Sequence, residues 1–284
     1  MSWLDWKQHN LETQFNPRAS LGTKTDGFLA SWENKSQDAR DKLLGRFNIA
    51  YGDHPLMQFD YHPYLSNAPV IINIHGGFWR SLDKSLMQHH MALLSRSGFS
   101  TVNVNYPLCP EISLTQIVQF LELALEKIIN FVEQEISDPK FILFGHSAGA
   151  HLAAHLSHHH RLKGNLKGVV ALTGIYETEV VRHITVNQDI RLTQNEAKRW
   201  CVITNLPSPT THYYIAVGGD EPSGWIDQSW QLASKLYKRG DPLKFRVVQS
   251  ANHFSLVDRL CDPDNPDGLL LHDWMLNLID NNQI

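Results

Sequence analysis

Lys140-Phe-Ile-Leu-Phe144 runs straight into Gly145-His146-Ser147-Ala148-Gly149, and apolar positions at Leu152 and Leu156 continue the register beyond it. The first five residues read as a buried strand and the last segment as a helix, so a serine sits on the sharpest bend between them. A strand that turns directly into a helix brings backbones too close for side chains, which explains a glycine on either side. The bend lifts the hydroxyl to the carboxyl edge of a sheet, above the positive end of a helix dipole. As a bare pattern Gly-x-Ser-x-Gly is weak; in a strand–turn–helix context it is specific.

Outward from this bend, apolar strands alternate with helices. Residues 68–74, 100–105, 166–172, 213–217 and 244–248 read as further strands. The clearest helix starts at Ser113, where Ser-Leu-Thr-Gln forms a capping box, and places Leu114, Ile117, Val118, Leu121, Leu125, Ile128 and Val132 on one stripe. Such alternation predicts an α/β fold, a mostly parallel sheet with helices on both faces. Residues 47–51 and 56–60 flank Gly52-Asp-His-Pro55 and read as an antiparallel hairpin at one sheet edge. We expect a single domain over 1–284, with polar residues 1–45 as an extension over the site and residues 175–210 as a cap-like insert.

Composition narrows the function. Lys+Arg 25 against Asp+Glu 29 gives a net charge of −4, so no nucleic acid or anionic membrane is expected as partner. The first ten residues lack the pattern of a signal peptide, and no run reaches membrane-helix length. The 3 cysteines, Cys109, Cys201 and Cys261, are widely spaced and match neither a disulfide framework nor a zinc site, which points to a reducing cytoplasm. A small-molecule substrate and no cofactor are the corresponding expectations, with a homodimer left open.

Three further segments complete a hydrolytic constellation. His75-Gly76-Gly77-Phe78-Trp79 follows the strand at 68–74 and offers backbone N–H groups; Gly76, Gly77 and Phe78, with Ala148, are the expected oxyanion donors, and His75 braces the loop. Serine needs a base, and His253, just after the strand at 244–248, is favoured over His272, which lies in an apolar helical run. The acid belongs after the strand at 213–217, where Asp220 and Glu221 are adjacent. A spacing common among α/β-hydrolases, with the acid three residues after the strand-ending glycine, selects Glu221, and Asp220 stays open as the alternative acid. Trp79, Tyr106 and Trp225 are candidate walls for a substrate pocket, with ordinary packing as the competing account.

Together these segments resemble the kynurenine formamidase (arylformamidase) branch of the α/β-hydrolase superfamily. His75-Gly-Gly-Phe-Trp79 is similar to its HGGxW loop, Asn105-Tyr-Pro-Leu-Cys-Pro110 to its turn after the next strand, Gly145–Leu152 to its nucleophile segment, Gly218–Ser229 to its acid segment, and Asn252-His253-Phe254 to its histidine segment. Gln14-Phe-Asn-Pro-Arg18 also matches, so the resemblance spans almost the whole chain. It implies an α/β-hydrolase fold and hydrolysis of an aryl formamide such as N-formylkynurenine, a step of tryptophan catabolism, through Ser147, Glu221 and His253. Two departures stand out: the branch usually has Asp where Glu221 falls, and Cys201-Val202 replaces an expected Ser-Pro in the insert.

The 16 histidines include a run at His151, His155, His158, His159 and His160. No Glu stands at 152, so this is not a HExxH helix, and no acid or cysteine is near it in sequence; a packed or solvated face is expected, with no metal. A carboxylesterase with the same triad, and a binding protein on an inactive α/β-hydrolase fold, are the rival readings; the complete triad argues against the latter.

Overall fold

A computed structural model describes residues 3–6, 9–65, 68–209 and 211–280. Residues 1, 2, 7 and 8 of the N-terminal stretch and residue 210 at the end of the insert lie outside it.

Eight strands make one sheet: β1 (Arg46–Ala50), β2 (Gln58–His62), β3 (Val70–Ile74), β4 (Ser100–Val104), β5 (Phe141–His146), β6 (Leu166–Leu172), β7 (His212–Gly218) and β8 (Leu243–Val248), in the order β1-β2-β4-β3-β5-β6-β7-β8. β2 runs against both its neighbours and the pairings from β4 to β8 are parallel, so the hairpin expected at 47–60 closes one edge of an otherwise parallel sheet. This is the mostly parallel α/β sheet that the alternation of elements predicts, and it fits the α/β-hydrolase fold that the resemblance implies.

Side chains on successive strand positions point to opposite faces, and the central strands are apolar on both. Val70, Ile72, Ile74, Leu143, Val169, Ile215 and Val217 feed one core with the helices Leu114–Glu133, Ala148–Leu156 and Ser223–Arg239. Ile71, Ile142, Phe144, Val170, Leu172, Tyr214 and Ala216 feed a second core under the helices Lys24–Arg40, Gln88–Arg96, Ser255–Cys261 and Pro266–Asp280. The capping box at Ser113 is present in full: its hydroxyl accepts from the Gln116 amide, and Gln116 returns the bond to the Ser113 amide at 2.9 Å.

The N-terminal stretch is built into both cores, Phe15 into the first and Trp32 into the second. Helix Lys24–Arg40 carries Trp32 in fully buried, with His90, His146 and Phe254 packed around its ring. The insert is pinned from below. His151 and His155 Nε2 lie 2.7 and 2.9 Å from the Trp200 carbonyl, and His158 Nε2 lies 3.0 Å from that of Leu206. Two imidazoles on the helix Ala148–Leu156 and one in the turn after it thereby supply donors that the irregular backbone of the insert needs. Among the described residues no helix is long and apolar enough to cross a membrane.

Candidate active site

Because β3 and β5 to β8 are parallel, the loops leaving their carboxyl ends share one rim, where open α/β sheets place ligands. Five loops meet there. After β5 comes Ser147, at φ 57 and ψ −122, followed at once by helix Ala148–Leu156. The bend is as tight as its glycines suggest: a Cβ on Gly149 would lie 1.9 Å from the Ile74 carbonyl oxygen. Ser147 Oγ forms no hydrogen bond with any described residue, so the hydroxyl is held by backbone geometry alone.

After β3, Gly77, Phe78 and Trp79 have φ of 105, 51 and 57, a run of left-handed backbone. At Gly77 a Cβ would meet the Ser81 carbonyl oxygen at 2.0 Å, so glycine is required there by both space and dihedral. A Cβ on Gly76 would stand 3.1 Å from Ser147 Cβ, which places this loop against the serine. The amides of Gly76, Gly77, Phe78 and Ala148 donate to no described residue. Unpaired donors beside a serine are what an oxyanion requires. Gly77 and Phe78 line the cleft, and Ala148 follows directly on Ser147, which lines it too. His75 braces the loop: its ring lies 2.8 Å from the Gly76 carbonyl and 3.0 Å from Asn105 Oδ1, and stacks on Tyr106 at 4.3 Å.

After β8, His253 is fixed from several sides. Asn252 Oδ1 accepts from the amides of Phe254 and Ser255, each at 3.0 Å, and locks the turn. His146 Nε2 donates to the His253 carbonyl at 2.8 Å. Trp225 meets the imidazole edge-on, at 4.8 Å and 89°. His253 Nδ1 donates to Glu221 Oε2 at 2.8 Å, with both side chains buried. That bond leaves Nε2 as the acceptor nitrogen, the tautomer a general base needs. The other oxygen of Glu221 accepts from the Gly218 amide at 3.0 Å and from the Thr173 hydroxyl. Asp220 is exposed and reaches this group only through its backbone, whose amide donates to the Ala251 carbonyl at 2.9 Å. His272 lies away from the rim, with Ser97 Oγ 2.5 Å from Nδ1 and the Leu260 carbonyl 3.0 Å from Nε2.

Ser147 and His253 line one narrow cleft of about 470 Å³, including the space at its mouth. Its walls differ from the sequence reading. Trp79, Tyr106 and Trp225 are fully buried and line no part of it. Trp79 packs on His151, Tyr106 donates its hydroxyl to the His75 carbonyl at 2.8 Å, and Trp225 donates Nε1 to the Thr173 carbonyl at 3.0 Å. The rings are supports behind the loops. The cleft is walled by Phe78, Leu82, Leu29 and Phe254, with Asn16, Arg18 and Arg80 at hand. Thr173, which follows β6, escaped the sequence reading entirely; its one legible signal is its place at the end of a strand on the active rim.

The histidine run has acidic company after all, from a distant helix. Glu126 lies 3.5 Å from His159 and 3.3 Å from His160, close enough for the three to share a cation. Arg161 also reaches Glu126, at 3.1 Å, and already balances its charge, so an ion-pair network accounts for the group. His89, His90 and Asp258 form a second such cluster, in which Ser36 Oγ and Asp258 already partner the rings.

Many imidazoles are held neutral. Burial pushes His155 and His89 down to about 4, lowers His62, His75 and His272, and holds His146 and His151 well below 6.5. An unfolded chain takes up these protons as pH falls through 6.5, whereas the folded chain resists until about 4. Their stabilisation is therefore complete above that window and drains away across it. Urea midpoints measured from pH 8 to 4 are expected to be flat at first and then to fall steeply, with an uptake of several protons on unfolding. A slope of one proton or fewer would contradict this account.

The fold and the site together define an α/β-hydrolase. The chain belongs to the BD-FAE family, whose match covers residues 61–245. It is similar to the kynurenine formamidase of Danio rerio, with 24% identity over 98% of this chain and 98% of that one. Among solved structures it resembles a candidate thioesterase from a Silicibacter species, at TM-score 0.79 and 22% identity, covering 90% of this chain and 97% of that one. It also resembles esterase B from Lactobacillus rhamnosis, at TM-score 0.69 and 17% identity, covering 90% and 96%. The chain is thus a hydrolase of the α/β-hydrolase type.

Proposed function

We propose that this hydrolase works through Ser147, His253 and Glu221, and cleaves an aryl formamide such as N-formylkynurenine to formate and an aromatic amine. Ser147 Oγ attacks the formyl carbon while its proton passes to His253 Nε2. The carbonyl oxygen becomes an oxyanion facing the amides of Gly77, Phe78 and Ala148. As the C–N bond breaks, His253 delivers that proton to the departing nitrogen, leaving formyl-Ser147. Water then attacks this ester, giving its proton to His253, and formate leaves as the serine is reprotonated. An anilide nitrogen departs more readily than an alkyl amine because the ring shares its lone pair.

The observation that carries the chemistry is the buried 2.8 Å bond from His253 Nδ1 to Glu221 at the foot of the cleft that Ser147 lines. Support for the substrate comes from likeness to a kynurenine formamidase along almost the full chain. The esterases among the structural relatives favour a carboxylesterase as the second reading. Comparing kcat/KM on N-formylkynurenine with that on short p-nitrophenyl esters separates the two. The formamide is expected to be the better substrate despite its stronger bond; equal or faster ester turnover would demote the formamidase reading.

A further inference from the structure

We infer that Arg18 and Arg80 make the mouth of the Ser147 cleft an anion-reading subsite, selecting substrates whose leaving group carries a carboxylate. This rests on the cleft being the catalytic one and deepens the reading above. The chain is acidic overall, at −4, yet the lining of this cleft holds two arginines and not one carboxylate.

The two guanidinium groups are differently placed. Arg18 is exposed, and its side chain makes no hydrogen bond, ion pair or ring contact with any described residue. Its backbone, by contrast, is fixed. Asn16 caps the turn by accepting from the Arg18 amide at 3.1 Å, and donates to Glu12 at 2.5 Å. Glu12 in turn accepts from the Thr185 amide and hydroxyl at 2.8 and 2.6 Å, tying the N-terminal stretch to the insert. A free cation therefore stands on an anchored base at the rim. Arg80 spends one nitrogen on Asp189, at 2.5 Å, and leaves a buried Nε without a partner. A buried donor left unpaired costs free energy that an incoming carboxylate or water recovers. The planar fork of arginine suits a carboxylate better than the ammonium of lysine would.

The chemistry fixes which part of the substrate reaches them. In formyl transfer the acyl side carries only hydrogen, so whatever extends from the reacting carbon is the leaving group. The apolar side chains of Phe78, Leu82 and Phe254 stand in the same lining, suited to a ring between serine and arginines.

Two matched pairs test this: N-formylkynurenine with its methyl ester, and 4-acetoxybenzoate with its methyl ester. The unaltered protein is expected to favour the carboxylate by about tenfold or more in kcat/KM. Arg18→Ala should bring that ratio close to one, mainly through KM, leave the neutral substrates within about twofold, and Arg18→Lys should restore part of it. Arg80→Lys should lower the same ratio. Ratios near one in the unaltered protein, ratios untouched by both substitutions, or equal loss on charged and neutral substrates would each overturn the inference. If formamides are not cleaved but the ester pair shows the arginine-dependent ratio, the formamidase reading falls and the subsite stands. If N-formylkynurenine and its methyl ester are cleaved equally well, the subsite falls and the formamidase reading stands.

Discussion

Ser147→Ala is expected to abolish labelling by a fluorophosphonate probe and to lower kcat/KM by on the order of 10⁴- to 10⁶-fold, with no loss of thermal stability. The stability half of this expectation follows from the site. Ser147 Oγ makes no hydrogen bond with a described residue, and the Cβ that its bend must accommodate is retained in alanine. The activity half follows from the proposed covalent step, for which alanine offers no nucleophile. Removing His253 as well should cost little more, because nucleophile and base act as one unit and their losses do not add. Labelling that persists in Ser147→Ala, or a loss of activity matched by a loss of fold, would remove the serine from its proposed role.

The sheet was legible because its strands are short apolar runs bounded by turn residues, and the apolar pattern on both faces demands helices above and below. The Ser147 bend and the His75–Trp79 loop were legible because steric need writes glycine into the chain. What was hidden is direction and distance. Trp79, Tyr106 and Trp225 do lie in or beside rim loops, but a sequence does not say whether a ring faces the cleft or the core behind it. The polar stretch 1–45 gave no hint that Trp32 would be sealed against His146 and Phe254, because only its tertiary partners make that helix one-sided. Glu126 and Thr173 were missed for the same reason: each reaches its partners from another element, tens of residues away.

Glu221→Gln is the second large effect, expected to lower kcat about 10³- to 10⁴-fold with little change in KM, while Asp220→Asn stays within about twofold. The carboxylate is used on both sides. Oε1 accepts from the Gly218 amide and the Thr173 hydroxyl, and Oε2 accepts from His253 Nδ1. An amide has one acceptor oxygen where the site calls for two. If its NH2 faces the imidazole, Nδ1 must become the acceptor, and the proton moves to Nε2, the nitrogen that takes the serine proton in the proposed mechanism. If instead its NH2 turns inward, it meets the Gly218 N–H, donor against donor, in a buried place where water gives no relief. Either way the imidazolium formed during the reaction loses its counter-charge. Asp220 is exposed and is held only by its backbone, so changing its side chain disturbs none of these bonds. Glu221→Asp restores charge but not reach, and should fall between the two, since a carboxylate one methylene short cannot satisfy Gly218 and His253 together from the same backbone position. The opposite ranking, with Asp220→Asn the more damaging, would transfer the acid's role to Asp220 and require the loop after β7 to rearrange.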